Sequence, residues 1–112
     1  MKRLEIVIKP EKLDDLKEIL EECKARGVMI ANIQGYGNQK GHVQLYRGAE
    51  IDTRMLPKVR VDTVVGDDTA KVIIDRVVKE IQTGNYGDGK IFVYAVEDAV
   101  RIRTGEHGNE AL

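Results

Sequence analysis

Residues 58–81, KVRVDTVVGDDTAKVIIDRVVKEI, contain a strand pattern followed directly by a helix pattern. Val59, Val61 and Thr63 recur at every second position, which is the period of a half-buried strand. Gly66–Asp68 then offers residues typical of a helix start. Apolar residues follow at the spacing of one helical face, namely Ala70, Ile73, Ile74, Val77 and Ile81. The stretch therefore predicts a strand–helix unit.

The same order occurs earlier in the chain. Residues 3–10, RLEIVIKP, alternate until Pro10, and apolar residues at helical spacing follow from Leu13 to Cys23, with Gly27 as the expected stop. VMIANIQGYG (28–37) predicts a second strand and IFVYAV (91–96) a last one. The order βαββαβ predicts an α+β, ferredoxin-like domain with two helices on one face of a four-stranded sheet. Apolar residues on the opposite face, such as Val7 and Val64, favour an oligomer.

Composition limits the function classes. A chain of 112 residues predicts one domain, and its net charge of −1 gives no general field that would attract nucleic acid or an anionic membrane. The single cysteine, Cys23, excludes an internal disulfide and is expected in the core. Residues 1–12 resemble neither a signal peptide nor a membrane span, so a cytoplasmic protein is expected.

A long segment between the second and third major strands, residues 38–56, has no sustained period. Loops of this length in small domains are commonly functional, and a disordered insertion is the alternative. Leu45, Tyr46 and Arg47 suit a protein contact.

The glycine-rich residues 84–90, GNYGDGK, fit a phosphate loop only in part. Ile91 stands where the Walker pattern requires Ser or Thr, and the loop follows a helix instead of opening one, which argues against that motif. Backbone N–H groups of successive glycines can still bind an anion, with Lys90 adding charge. Arg101 and Arg103 would project to the same side of an extended chain and add hydrogen-bond donors for the anion. Gly35 and Gly37 form a second turn at which the backbone can approach a ligand closely. A phosphate site built from several segments is one interpretation, and a tight turn with solvated basic residues is the other.

No residue pattern indicates catalysis. His42 and His107 are expected to be solvated, and the Asp67–Asp68 pair is expected to cap a helix. A small phosphotransferase or phosphatase remains the enzyme alternative, and an ATP-turnover assay discriminates it from a regulatory protein.

Four stretches together resemble one family, the PII nitrogen-regulatory signal proteins: GYGNQKGHVQLYRGAE, LPKV, TGNYGDGKIFV and RIRTGE, in the same order and spacing. The resemblance covers essentially the whole chain as a single domain, 1–112. It implies a homotrimer of ferredoxin-like subunits, with clefts between neighbours in which ATP and ADP compete. It also implies a 2-oxoglutarate site that depends on Mg²⁺–ATP. The T-loop would span about 37–55, the glycine-rich nucleotide loop about 82–90 and the C-terminal loop about 102–112.

The resemblance also implies the site residues. The nucleotide would contact Gly35, Gly37, Asn38, Gln39, Val64, Gly87, Asp88, Gly89, Lys90, Arg101 and Arg103, with both arginines coming from the adjacent subunit. Asp62 and Thr63 match positions that line the adenine. Gln39 would join the Mg²⁺ shell shared with 2-oxoglutarate, and Lys58 would pair with the distal carboxylate of that ligand.

Targets would bind through Tyr46 and Arg47 of the T-loop. They would be a membrane transporter, or an enzyme or regulator of nitrogen metabolism, and the membrane would be reached only through such a target. Ile51 and Ala49 replace the residues that are covalently modified in relatives, so neither modification is expected at those positions. Asn38 stands where a basic residue is common. The alternative is a divergent sensor of ATP and ADP alone that regulates a non-ammonium transporter.

Overall fold

The computed structural model describes residues 1–36, 44–46, 49–51 and 55–112. Their elements are β1 (Lys2–Ile8), α1 (Leu13–Glu22), β2 (Val28–Gly35), β3 (Gln44–Tyr46), β4 (Ala49–Ile51), β5 (Leu56–Val65), α2 (Asp67–Ile81) and β6 (Lys90–Ala95). Short 3₁₀ turns occupy Pro10–Lys12 and Gly108–Ala111. The predicted order is confirmed, except that the segment expected to lack structure contains the short strands β3 and β4.

The four long strands form one antiparallel sheet in the order β2-β5-β1-β6. In this register Leu4 of β1 lies opposite Thr63 of β5 and Val93 of β6. This is the strand order of a ferredoxin-like domain, so the predicted fold class is confirmed. The strands β3 and β4 pair separately with each other.

The core lies between the two helices and one face of the sheet. Its buried residues recur every second position along the strands and every third or fourth position along the helices, as the sequence predicts. They are Leu4, Ile6, Ile8, Leu16, Ile19, Leu20, Val59, Val61, Val65, Ala70, Ile73, Val77 and Ile81. Cys23 is half-buried against this cluster, as expected.

The end of α1 differs from the prediction. The helix ends at Glu22, not near Gly27, and Lys24 adopts the left-handed φ of 63°. The Lys24 N–H donates to the Glu21 carbonyl (3.0 Å), and the Ala25 N–H donates to the Leu20 carbonyl (2.9 Å). These two bonds form a Schellman motif, in which a lysine occupies the position where glycine is usual.

The start of α2 also differs. Gly66 is the N-cap and no side chain caps the helix, so the prediction that the Asp67–Asp68 pair caps it is wrong. Both aspartates lie in the first turn, where negative charge is favourable next to the positive end of the helix dipole. The Asp67 carboxylate also forms an ion pair with the Met1 ammonium, at a distance of 2.9 Å.

The sheet face that is not covered by helices carries charged groups as well as the expected apolar side chains. Its centre is the Asp62 carboxylate, which accepts from the Arg3 and Arg60 guanidinium groups at 3.0 and 3.1 Å. Phe92 and Tyr94 remain 45% and 38% exposed on this face, so their rings are not covered within the subunit. No helix within the described ranges is long and apolar enough to cross a bilayer.

Candidate functional site

The loop between α2 and β6, residues 82–89, is organised by one carboxylate. Asp88 accepts from the Thr83 N–H at 2.7 Å, the Gly84 N–H at 3.0 Å and the Thr83 hydroxyl. The Thr83 hydroxyl, and after it the Thr83 N–H, lower the pKa of Asp88 below the usual value. Because these donors occupy its oxygens, the Asp88 carboxylate holds the loop together.

Three glycines allow the path of this loop. Gly84, Gly87 and Gly89 have φ values of 81°, 90° and 111°, a region that other residues rarely adopt. Gly89 also lies directly against β1, where an added Cβ would overlap the Val7 carbonyl oxygen. Only glycine fits at this position, and the close approach brings Lys90 opposite Val7 at the start of β6.

Lys58 reaches the loop from the beginning of β5. Its ammonium donates to the Gly87 carbonyl at 2.8 Å, and the residue is only 9% exposed. Burial, and then the positive charge of Lys9, lower the pKa of Lys58 below its usual 10.5. The side chain passes Gly35, where an added Cβ would lie 3.4 Å from Lys58 Cγ.

These residues border one cleft of about 480 Å³ on the open face of the sheet. Its walls are residues 85–89 of the loop together with Val7, Gly35, Tyr36, Lys58, Lys90 and Phe92. Six residues predicted from the sequence therefore meet here, namely Gly35, Lys58, Gly87, Asp88, Gly89 and Lys90. The combination of backbone turns and ammonium groups suits a polyanion.

The remaining described candidates lie at the other end of the sheet. Val64 is six positions from Lys58 on β5, which corresponds to roughly 20 Å along a strand. It borders a second cleft of about 320 Å³ with Gly66, Thr69 and the C-terminal Leu112. The adjacent Thr63 is 1% exposed and donates to the Gly27 carbonyl at 2.8 Å on the core side, so it is not accessible to a ligand within this subunit.

The C-terminal arginines are not on an extended piece, and that part of the prediction is wrong. Residues 102–104 form a turn, closed by the Gly105 N–H donating to the Arg101 carbonyl at 2.7 Å. The Arg101 guanidinium donates to the Glu106 carboxylate at 3.1 Å and to the Leu112 carbonyl at 3.3 Å. Arg103 is exposed. The turn is stabilised by these local bonds, which a two-residue alternation does not reveal.

The sequence predicts that His107 is solvated, but the structure gives it a side-chain partner. Its Nδ1 atom lies 2.7 Å from the Asp98 carboxylate, which also accepts from the Ala99 and Gly108 N–H groups. Sequence reasoning missed this pair because the two residues are nine positions apart, beyond any local pattern. It also missed the Arg3–Asp62–Arg60 cluster, for which the alternation of charges on β1 and β5 was the available signal.

Several predicted residues lie outside the described part of the chain: Gly37, Asn38, Gln39, His42 and Arg47. Tyr46 is described only as a backbone position of β3. Within residues 1–36, 44–46, 49–51 and 55–112, no group of three or more metal-binding side chains comes together.

Comparison with known proteins identifies relatives of the whole chain. The family model described as "Nitrogen regulatory protein P-II" matches residues 1–106, which include both the glycine loop and the C-terminal arginines. The chain is 50% identical to the nitrogen regulatory protein P-II of Bradyrhizobium diazoefficiens over 112 residues, which is 100% of both chains. With the same coverage it is 49% identical to the P-II protein of Rhodospirillum rubrum and 46% identical to P-II 1 of Escherichia coli K12.

Proposed function

The chain belongs to the nitrogen regulatory protein P-II family, and from this we propose that it binds ATP and ADP and controls target proteins through its T-loop. Proteins of this family are signal transducers in nitrogen regulation that act through other proteins. The proposal adds the ligands, the residues that bind them and the assembly in which they bind.

The observation that carries the proposal is the cleft between the glycine loop and β5. Phosphate oxygens would accept from backbone N–H groups of residues 87–89 and from the Lys90 ammonium. Thr83 and Gly84 donate to the Asp88 carboxylate within the loop, and the nearby Lys9 and Lys58 ammonium groups offset its negative charge toward an anion. The residues present therefore fit a nucleoside di- or triphosphate.

The separation of the site residues supports an assembled site. In one subunit the glycine loop lies near Lys58, whereas Val64 and the start of the C-terminal segment lie at the far end of the sheet, where Val96 donates to Met1. A single nucleotide does not span roughly 20 Å of strand together with a second loop. We therefore propose that Arg101 and Arg103 of one copy complete the cleft of the next, in the homotrimer that is typical of the family.

Calorimetry with ADP and with ATP tests the binding. The wild-type protein should bind both nucleotides, and Lys90→Met should weaken both. Lys71→Met, which removes an exposed lysine on α2, is the matched control and should bind as the wild type does. Failure of the wild type to bind either nucleotide would refute the proposal.

Mixed oligomers test the shared site. Lys90→Met and Arg103→Ala subunits should each bind nucleotide weakly when alone. If the two residues act from different copies, co-expression of both variants creates some clefts with both native residues. Calorimetry of the mixture should then reveal a class of sites with wild-type affinity. No restored class is expected if both residues act within one subunit.

We also propose that 2-oxoglutarate binds in this region only with Mg²⁺–ATP. Mg²⁺ prefers oxygen ligands and keeps few protein contacts, so Gln39 would supply one oxygen and the ligands the others. Lys58 would pair with the distal carboxylate. Titration with 2-oxoglutarate in the presence of ADP, and then of Mg²⁺–ATP, tests this requirement. Gln39→Ala should abolish the binding and retain most of the ADP affinity.

A sensor of ATP and ADP alone is the second candidate, because Asn38 replaces a basic residue common in the family. This candidate predicts no binding of 2-oxoglutarate under either condition. Asn38→Arg should then raise the preference for ATP over ADP, since only ATP carries the third phosphate. In both candidates, substitution of Tyr46 and Arg47 by alanine should abolish capture of the target protein.

A further inference from the structure

The Lys58 ammonium is bonded to a main-chain group of the glycine loop. Lys58 is on β5, and the acceptor is the carbonyl of Gly87, 29 positions later in the chain, at 2.8 Å. This bond therefore connects the central sheet to the middle of the loop.

The charge of Lys58 is not matched by a contacting carboxylate. Among the residues that the structure describes, no carboxylate oxygen lies within 4 Å of its ammonium. The charged groups around it are Lys9, Glu11 and Asp88, of which Lys9 is repulsive. The bond from a largely buried cation to a neutral carbonyl is expected to be retained, because its loss would leave the ammonium under-solvated.

The bond also determines where a neighbouring donor points. In a trans peptide the C=O and the following N–H point in opposite directions. No peptide bond among the described residues is cis, so fixing the Gly87 carbonyl toward Lys58 fixes the Asp88 N–H in the opposite direction. Without this bond, rotation of the Gly87–Asp88 peptide could turn the carbonyl oxygen toward an anionic ligand, which it would repel.

We propose that Lys58 is a positioning residue for the glycine loop, acting through its bond to the Gly87 carbonyl even when no carboxylate ligand is present. The inference deepens the proposed function, because it assigns Lys58 a role in nucleotide binding that is separate from any contact with 2-oxoglutarate. A lysine that only contacts 2-oxoglutarate would not influence ADP binding in its absence.

The first measurement is ADP affinity without 2-oxoglutarate. Lys58→Met keeps the length of the side chain but cannot donate, and its affinity should fall by about tenfold, the scale of one hydrogen bond to a charged group. Lys58→Arg can still donate to the Gly87 carbonyl and should recover most of the affinity. Lys71→Met should match the wild type. Wild-type affinity in Lys58→Met would overturn the proposal.

The second measurement separates positioning from a simple loss of positive charge. In the ligand-free protein, the carbonyl ¹³C signal of Gly87 should shift as Lys58 loses its proton at high pH. The shift should be absent in Lys58→Met and should persist in Lys9→Met, which removes the other nearby ammonium. A carbonyl signal in Lys58→Met that matches the wild type at neutral pH would overturn the proposal.

The two measurements also distinguish the inference from the proposed function. If the wild type bound no nucleotide, the proposed function would fail, and the Gly87 carbonyl signal would still decide whether Lys58 positions the loop. If nucleotide bound but the carbonyl signal did not depend on Lys58, the proposed function would stand and this inference would fail.

Discussion

The glycine loop and the C-terminal segment are built on the same local device but are anchored differently. In each, an aspartate accepts two backbone N–H groups and one side-chain donor: Asp88 from Thr83 and Gly84, and Asp98 from its neighbours and His107. In the loop, further contacts reach the sheet. In the segment 97–112, the hydrogen bonds join its own residues to one another, as between Arg101 and Glu106.

The difference in anchoring has a consequence for binding. The loop is tied to β5 by Lys58, to Lys9 through Asp88 at 3.7 Å, and to β1 by the close approach of Gly89 to Val7. These contacts would hold the loop in place before the proposed nucleotide binds, which would lower the ordering cost of binding. Within the described residues, the hydrogen bonds of the C-terminal segment do not reach the sheet, which would suit a part that completes a neighbour's cleft in the proposed assembly.

The largest expected effect is that of Gly89→Ala. The new Cβ would overlap the Val7 carbonyl oxygen at a φ of 111°, so the loop or β1 must shift. Backbone strain and overpacking together predict a loss of about 3 kcal/mol in the free energy of unfolding, measured with urea. The matched control is Gly105→Ala in the C-terminal segment, with a φ of 73° and open space around its Cβ. There the expected loss is about 1 kcal/mol.

Equal losses in the two alanine variants would contradict the proposed difference in anchoring. If Gly105→Ala were the more destabilising change, the C-terminal segment would be the more tightly packed region.

The next effect concerns the C-terminal arginines. Arg103→Ala should weaken ATP and ADP alike by about 1.5–3 kcal/mol, because charge-assisted bonds to phosphate are lost. Since Arg103 is exposed in the isolated subunit, the free energy of unfolding should not change. Calorimetry measures the first quantity and urea denaturation the second. Unchanged affinity for both nucleotides would remove Arg103 from the site.

The elements of the fold were predictable because local periodicity determines them. The alternation around Val61 and the helical spacing around Ile73 reflect which side chains face the same core, and both are buried. The end of α1 was not predictable, since Lys24 adopts a conformation for which glycine is the usual signal. The spacing of the glycines also predicted the position of the loop between α2 and β6, although the sequence of the loop does not satisfy the Walker motif.

The contacts that build the site depend on strand register and could not be predicted. The bond from Lys58 to Gly87 requires β5 and the loop to meet across 29 residues. The sequence does not show whether the Asp88 carboxylate faces a ligand or its own loop, because this depends on the hydrogen bonds from Thr83 and Gly84. The alternation in RIRTGE predicted an extended chain, whereas the bond between Gly105 and Arg101 closes a turn. The assignments of nucleotide, Mg²⁺, 2-oxoglutarate and target contacts to individual residues stay predictions, including those for residues 37–39 and Arg47.

A smaller effect is expected from Asp88→Asn. An amide oxygen accepts more weakly than a carboxylate, so the loop should loosen and ADP affinity should fall by about three- to tenfold at neutral pH. The pKa of Asp88 is lowered in the folded protein, so its contribution is present above the usual 3.8 and is lost as pH falls through the lowered pKa. The protection factor of the Gly84 amide, which compares its exchange rate with the intrinsic rate at the same pH, should fall over the same acidic range.

The control for this change is Asp98→Asn, which makes the same substitution in the other region. It should accelerate the amide exchange of Gly108 and leave that of Gly84 unchanged. Faster exchange in both regions from either variant would mean that the two regions are coupled within the subunit.

The smallest effect is expected from His107→Gln, which tests how far the C-terminal segment depends on its exposed pair. The side chains of His107 and Asp98 are 65% and 50% exposed, and pairs in that setting contribute little to stability. The urea midpoint should therefore stay the same. The His107 side chain, and after it the Ala99 N–H, lower the pKa of Asp98. Without His107, the carboxyl ¹³C signal of Asp98 should titrate at a higher pH than in the wild type. A lower pKa keeps the Asp98 carboxylate ionised, and able to accept from the Gly108 N–H, down to a lower pH. In the variant that pKa is higher, so protection of the Gly108 N–H should be lost at a higher pH. An unchanged Asp98 titration would show that the backbone donors alone hold that carboxylate, in contrast to Asp88, which also accepts from the Thr83 hydroxyl.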